Sequence, residues 1–203
     1  MKKITIFLNG EYPSGDYFYR NHAKNSFIVC ADGAYNKLSM LRIKPHIILG
    51  DMDSIKNNIP CSIKTVKYPT GKDMTDGELA LDYAVSKNPA EILIFGALGG
   101  RKDQELANIF LLRKYPLMNI AILEKNTVMW IAKKKKQFSA KIGQTISLIP
   151  LSEKVTGITT KGLQYKLNKG TLYMRKTKGI SNVAKIDKIR INYKKGTLLV
   201  VAQ

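Results

Sequence analysis

Short apolar runs alternate with amphipathic stretches through the first half of the chain. The runs predict buried strands at residues 4–8, 27–31, 46–49, 91–95 and 119–123, and a weaker strand at 63–67. Helices are predicted over residues 75–86 and 103–114, and a further helical pattern begins at Ala34. A polar loop with Pro13, Gly15 and Asp16 is predicted after Asn9-Gly10. Nearly all-apolar strands that alternate with helices are typical of a parallel sheet covered on both faces. We therefore predict an α/β N-terminal domain with a mainly parallel, Rossmann-like sheet.

The pattern changes after about residue 125. Helical periodicity fades, and short runs with alternating polarity predict strands at residues 127–131, 145–149, 164–167, 171–174, 188–193 and 197–201. Glycine-containing turns separate these runs, which indicates an antiparallel sandwich or barrel. We take the chain as two domains, residues 1–125 and an all-β C-terminal sandwich over residues 126–203.

Composition narrows the class of protein. Among the 203 residues no apolar run is long enough to cross a membrane, so no membrane partner is predicted. The basic start and short apolar run at residues 2–8 favour a buried first strand over a signal peptide, because the run is short and no small-residue cleavage site follows. Cys30 and Cys61 lie far apart without metal-site spacing, which fits a reducing cytoplasm and predicts a cytoplasmic protein.

The formal net charge of +19 raises the question of a polyanionic partner. Lysines occur along the whole chain, with one short run at residues 133–136, and lysine far exceeds arginine. This distribution favours a solvated lysine-rich surface, so no nucleic-acid partner is predicted. A positive potential would also attract an anionic nucleotide.

Carboxylates cluster after the third predicted strand and around the start of the helix at 75–86. Asp51 and Asp53 lie in the stretch Gly50-Asp51-Met52-Asp53-Ser54, and Asp73 and Asp76 lie in the stretch 72–78. A hard cation such as Mg²⁺ takes carboxylate and phosphate oxygens, so these residues predict a Mg²⁺–phosphate site. The alternative for Asp51 and Asp53 is a solvated turn in which Asp53 caps a helix.

A capping box explains part of the second stretch. Thr75 fits the N-cap position and Glu78 the N3 position, so a structural role is an alternative for both side chains and is favoured for Glu78. The capping box does not explain both Asp73 and Asp76, and this excess of carboxylates favours a functional role. Asp32, which follows the second predicted strand, is expected at the same carboxyl edge of the sheet, where ligands of such sheets bind.

A glycine-rich turn leads from the strand at 91–95 into the next helix. Its sequence is Gly96-Ala97-Leu98-Gly99-Gly100-Arg101-Lys102-Asp103. Backbone amides at a helix N-terminus and the planar fork of Arg101 suit phosphate oxygens. The alternative makes Asp103 an ordinary N-cap and the glycines ordinary turn residues. In the second half, the tetrapeptide Gly179-Ile180-Ser181-Asn182 is either a turn or a recognition loop.

Taken in order, these motifs resemble the thiamine pyrophosphokinase (thiamin diphosphokinase) family. The resemblance covers nearly the whole chain and is specific through the order of its five parts. These parts are residues 31–34, residues 50–54, residues 72–76, residues 99–104 with Asn108, and residues 179–182.

The resemblance implies Mg²⁺-dependent transfer of a pyrophosphoryl group from ATP to the hydroxyethyl group of thiamine, giving thiamine diphosphate and AMP. It also implies a homodimer whose site lies between the α/β domain of one subunit and the β domain of the other. By motif, the implied metal ligands are Asp51, Asp53 and Asp76, with Asp73 in support and Arg101 also catalytic. The implied ATP contacts are Asp32, Gly100, Arg101, Asp103 and Gln104, and the implied thiamine contacts, from the partner subunit, are Ser181 and Asn182.

One position departs from the family pattern, and the single tryptophan has no assigned role in the site. Many bacterial members have His where this chain has Gln104. Trp130 lies in a predicted strand and is expected to be in the core.

Because the motifs contain no Cys–His or Ser–His arrangement, direct transfer of the pyrophosphoryl group is favoured over a covalent intermediate.

Two other classes of function compete with this interpretation. One is another Mg²⁺-dependent phosphotransferase or phosphatase, such as a haloacid-dehalogenase-like enzyme with Asp51 or Asp53 as nucleophile. Against it, the acidic motif follows the third strand instead of the first. The other is a basic nucleic-acid-binding module, which gives the carboxylate cluster no purpose and predicts steeply salt-dependent affinity.

Overall fold

The computed structural model describes residues 3–203. Contacts divide the chain into two compact units. The first unit comprises residues up to 111 together with residues 118–125, and the second comprises residues 112–117 and 126–203.

The first unit is a parallel sheet with helical connections. Its elements in chain order are β1 (Lys3–Phe7), α1 (Asp16–Ala23), β2 (Phe27–Ala31), α2 (Ala34–Met40), β3 (Ile47–Gly50), β4 (Lys64–Lys67), α3 (Asp76–Ser86), β5 (Glu91–Phe95), α4 (Lys102–Leu111) and β6 (Ile120–Glu124). The strands pair in parallel in the order β6-β5-β1-β2-β3-β4. The direction of winding reverses between β1 and β5, and such a switch point opens a crevice at the carboxyl ends of the strands.

Helix α1 lies where the sequence predicts a loop, so that prediction is wrong. The helix buries only Tyr19 and Ala23, one turn apart, and its other positions are largely polar. Two inward positions in eight residues give too weak a periodicity to detect. Tyr19 packs edge-on against Phe95 with ring centroids 5.4 Å apart, which seats the helix on the sheet.

The other helices begin close to the predicted positions. Thr75 is the N-cap of α3, and its Oγ1 accepts a hydrogen bond from the Glu78 amide at 3.2 Å, which confirms its capping role. Helix α4 begins at Lys102, so Asp103 lies inside the first turn instead of capping it.

The second unit is antiparallel throughout its named strands. These are β7 (Thr127–Ile131), β8 (Lys135–Ser139), β9 (Thr145–Pro150), β10 (Lys154–Lys161), β11 (Gly170–Tyr173), β12 (Asn182–Val183), β13 (Lys188–Asn192) and β14 (Leu198–Ala202). Within this unit β12-β9-β14-β7 are hydrogen-bonded neighbours, and β11-β10-β13-β8 form a separate sheet. Side chains from both sets share one core, including Leu148, Val200, Ile158 and Ile191. Trp130 packs against this core, as expected from the sequence.

Strands β8, β10 and β12 escaped sequence prediction. In β8 the residues alternate between exposed and partly buried, with Phe138 turned inward, but the lysine run conceals this alternation. Its position at a sheet edge accounts for the lysines, since charged edges resist pairing with other chains. In β10 an irregular register between Val155 and Ile158 breaks the expected alternation.

The predicted strand at residues 164–167 is wrong. This segment forms no named strand, and only the neighbouring Leu163 makes an isolated bridge, to Ala184. Its backbone is held by two kinds of contact: Leu167 N donates to Thr160 Oγ1 at 2.9 Å, and Gln164 N donates to Val183 O at 2.8 Å.

Across residues 3–203, the helices are all too short or too polar to span a bilayer.

Candidate active site

A cleft of about 340 Å³ opens in the first unit at the switch point of the sheet. Loops after β1, β2 and β5 and the first turns of α3 and α4 form its walls. Gly10 and Gly96 make this arrangement possible: the Gly10 amide donates to Gly96 O at 2.8 Å, and a Cβ at Gly10 would lie 2.3 Å from that oxygen. Polar residues that line the cleft include Asn9, Asp32, Lys72, Asp76, Arg101 and Asn108.

Three carboxylates meet where β2 and β3 end. Asp32, Asp51 and Asp53 each offer an oxygen atom within 4.8 Å of the others. Asp32 is buried and adopts a left-handed backbone conformation, with φ of 38°. Its Oδ1 accepts a hydrogen bond from the Met52 amide at 3.0 Å, which ties the two strand ends together. A Cβ at Gly50 would lie 2.6 Å from the Asp32 Cβ, so this approach requires glycine.

Lys72 links this cluster to the start of α3. Its Nζ lies 3.0 Å from Asp76 Oδ1 and 3.9 Å from Asp51 Oδ2. The pKa of Asp51 is lowered, first by the hydrogen bond from the Asp53 amide and further by Lys72. The pKa of Asp76 is raised, because burial outweighs its contact with Lys72. One lysine therefore offsets only part of the negative charge that the aspartates bring to this edge.

The glycine-rich turn places Arg101 and Gln104 on the cleft wall. Arg101 makes a bidentate pair with Asp103, with Nη2–Oδ2 at 2.6 Å and Nε–Oδ1 at 3.2 Å. The guanidinium lowers the pKa of Asp103, and the carboxylate raises that of Arg101. Both side chains are exposed, so this pair is open to exchange with an incoming anion. Gly100 also lines the cleft, whereas Asp103 does not.

The remaining predicted residues lie elsewhere. Asp73 is exposed and does not line the cleft. In the second unit Ser181 is exposed, in a left-handed conformation, and its amide donates to Ser147 Oγ at 3.0 Å. Asn182 is buried, and its side chain pairs with both the amide and the carbonyl of Tyr165, at 2.9 Å and 2.8 Å. The Asn182 side chain therefore holds the backbone at Tyr165 in place, and its contact with thiamine stays a prediction.

Sequence reasoning gave no role to Lys72, Glu105 or Asn108, all of which line the cleft. Asn108 Nδ2 donates to Ala97 O at 2.9 Å and holds the turn after β5 against α4. Lys72 and Asp76 lie four residues apart, but Lys72 precedes α3, so the spacing rule for residues on one helix did not signal their ion pair. Nothing in the sequence signalled the contacts of Glu105, since they depend on the folded turn.

An α/β unit with a parallel sheet carries a carboxylate cluster and basic side chains at its strand ends, and an antiparallel β unit follows it. This combination suits a class of protein that binds phosphate groups. Comparison with known families specifies which one. Residues 18–123 match the model for the thiamin pyrophosphokinase catalytic domain, and residues 131–198 match that for the thiamin pyrophosphokinase vitamin B1 binding domain. The chain belongs to the thiamin pyrophosphokinase family.

Individual relatives agree with this assignment. Thiamine pyrophosphokinase of Bacillus subtilis is 33% identical over 168 residues, which cover 78% of each chain. Thiamine pyrophosphokinase 1 of Arabidopsis thaliana is 28% identical over 217 residues, covering 92% of this chain and 80% of the relative. The crystal structure of the Bacillus subtilis enzyme superposes with a TM-score of 0.89, covering 100% of this chain and 99% of that one.

Proposed function

We propose that this protein transfers a pyrophosphoryl group from ATP to the hydroxyl group of thiamine, producing thiamine diphosphate and AMP. The observation that carries the proposal is the group of three aspartates within 4.8 Å of one another beside the switch-point cleft. Family membership supplies the acceptor, because relatives with the same two domains are named as thiamine pyrophosphokinases.

The carboxylate cluster fits Mg²⁺. Asp51 and Asp53 supply hard oxygen donors from one turn, and Asp32 and Asp76 lie beside them. Carboxylates this close repel one another, so a divalent cation would relieve a cost built into the fold. We assign Asp51, Asp53 and Asp76 as metal ligands, with Asp32 as an additional donor and Asp73 in support. Bound there, the ion would neutralise phosphate charge and orient the phosphates.

The chain's own residues divide the remaining work. Arg101 exchanges its partner Asp103 for phosphate oxygens. Gly100 and Gln104, which line the cleft, and Asp103, which lies beside it, are assigned as contacts of the nucleotide. Ser181 and Asn182 are assigned to thiamine. Lys72 keeps Asp51 and Asp76 in place and limits their repulsion.

Transfer is direct in this proposal. Burial raises the pKa of the Cys30 thiol, so this side chain stays protonated and is a poor nucleophile. Asp51 follows β3 instead of the first strand, which argues against a phosphatase with an aspartyl nucleophile. We further propose that the first unit has a Rossmann-like fold, that the protein forms a homodimer and that it is located in the cytoplasm.

The test is an assay for the formation of AMP, which we expect to require both thiamine and Mg²⁺. Asp51→Asn and Asp53→Asn are expected to lower turnover by roughly a hundredfold or more while leaving the far-UV spectrum intact, because each removes a charged metal ligand. Asp187→Asn, the same change at an exposed site in the second unit, serves as control. AMP release without thiamine, or full activity in both variants, contradicts the proposal.

The same preparation tests two further points. Sedimentation equilibrium is expected to give twice the chain mass of 22.8 kDa, and a value of one chain mass contradicts the homodimer. Acid quench with labelled ATP is expected to leave no label on the protein. A labelled aspartyl intermediate would favour the phosphatase class.

A further inference from the structure

A single glutamate holds the glycine-rich turn at the cleft. Glu105 lies in the first turn of α4, and its Oε1 accepts hydrogen bonds from the amides of Gly99 and Gly100, at 2.8 Å and 2.9 Å. Lys102 Nζ lies 2.9 Å from Oε1 and 3.1 Å from Oε2. The Glu105 side chain is only 19% exposed, and it lines the cleft.

Two backbone amides bind this carboxylate, and an exposed lysine adds to them. The hydrogen bond from the Gly100 amide is the largest cause that lowers the pKa of Glu105, followed by the hydrogen bond from Lys102 and then that from the Gly99 amide. The Lys102 side chain is 82% exposed, so water screens its ion pair with Glu105, and we expect the pair to contribute little to holding the turn. The carboxylate therefore ties the turn to the helix that follows it.

This arrangement changes the interpretation of the turn. The sequence predicts that its amides bind phosphate, yet two of them already donate to Glu105. The side chains of Arg101 and Gln104, which follow the clamped segment, also line the cleft on this side. The Glu105 amide also donates the usual helical hydrogen bond to the Arg101 carbonyl at 3.0 Å, which does not depend on the glutamate side chain.

We propose that Glu105 is a positioning residue for nucleotide binding, which holds the 99–101 turn so that Arg101 faces the phosphates. This inference rests on the proposed function, since it takes the cleft as the nucleotide site. The contrasting role for Glu105 is that of an internal anion that occupies the amides and competes with phosphate. The two roles predict opposite signs: loss of the carboxylate weakens nucleotide binding in the first and strengthens it in the second.

The experiment measures binding of a non-hydrolysable ATP analogue with Mg²⁺ by calorimetry, together with separate KM values for ATP and thiamine. Glu105→Ala is expected to weaken analogue binding by roughly fivefold or more, because a turn that must be ordered on binding reduces affinity. The KM for ATP should rise by a similar factor, with the KM for thiamine unchanged within about twofold.

Three variants separate the contacts of Glu105. Glu105→Gln keeps an oxygen that accepts from both amides and is expected to restore most of the affinity. Glu105→Met keeps the length without an acceptor, so it should behave like Glu105→Ala even if the alanine variant folds poorly. Lys102→Met removes only the exposed ion pair and should change affinity by less than about twofold.

Tighter analogue binding in folded Glu105→Ala or Glu105→Met, or unchanged binding in both, overturns the positioning role. An equal rise in the KM values for ATP and thiamine also overturns it, since that indicates general damage to the fold. If the unmodified protein binds the analogue but never forms AMP with thiamine, the proposed function fails while the comparison of variants still decides the role of Glu105. If it binds no analogue, both fail.

Discussion

At the scale of single residues, Glu124 is a buried carboxyl group whose charge the fold accommodates poorly. It ends β6 with a largely buried carboxyl group, and neither oxygen has a hydrogen-bond partner of normal geometry among residues 3–203. Burial raises its pKa from 4.5 to about 7, opposed only slightly by the nearby Gly96 amide. The folded protein therefore favours the protonated carboxyl, whereas the unfolded chain ionises it at lower pH.

The free energy of unfolding should consequently fall as pH rises through this range. The stabilising effect of the bound proton is complete below the unfolded pKa of 4.5 and is lost as pH rises through about 7. The loss is at most about 3 kcal/mol, from the difference between the two pKa values. Glu124→Gln, which mimics the protonated form, should flatten the dependence between these limits when urea midpoints are measured across the range.

The control for this prediction is Glu153→Gln, an exposed glutamate in the second unit. This change should leave the pH dependence as it is in the unmodified protein. An unaltered slope in Glu124→Gln would mean that Glu124 ionises in the fold without cost.

At the scale of elements, the start of α3 carries both stability and site geometry. Thr75 caps the helix and lines the cleft beside Asp76. Thr75→Ala should lower the free energy of unfolding by about 1 kcal/mol, because the Glu78 amide loses its acceptor. Thr75→Ser keeps the hydroxyl and should recover most of that loss in the same denaturation experiment. Equal stability of the alanine and unmodified proteins would exclude a role for the cap.

The elements also show how far the sequence determines the site. Asp32 and Asp51 could be placed together from the sequence, because each ends an apolar strand and parallel strands end at one edge. The cap at Thr75 could also be predicted from the sequence, because its partner Glu78 lies only three residues further along the chain. The role of Glu105 could not be predicted, because a glutamate in the first turn of a helix looks the same in sequence whether or not a folded turn contacts it. Helix α1 could not be predicted for a related reason. Its inward positions can be recognised only from the aromatic side chains that they contact in the folded protein, such as Phe95 beside Tyr19.

At the scale of the whole molecule, the charge is divided unevenly. Residues 1–125 and 126–203 each carry 17 lysines and arginines, but 13 of the 15 acidic residues lie in the first range. The second range therefore has a net charge of +15 and the first only +4. Lysines are thus spread along the chain, while the carboxylates are concentrated in the domain that contains the proposed site.

This surplus charge should act differently on the two proposed substrates. ATP is an anion that the net positive charge attracts, whereas thiamine carries a cationic thiazolium ring that it does not attract. Raising NaCl from about 0.05 M to about 0.5 M shortens the screening length to roughly 4 Å and should raise the KM for ATP several-fold.

The KM for thiamine, measured at saturating ATP, should stay constant or fall over the same range of salt. Choline chloride in place of NaCl controls for specific effects of Na⁺. A parallel rise in both KM values would mean that salt acts on the fold or on the proposed metal site, and not through the long-range field. Replacing the four lysines at 133–136 with glutamine should reduce the salt dependence of the KM for ATP without abolishing turnover, because these residues contribute four of the surplus positive charges.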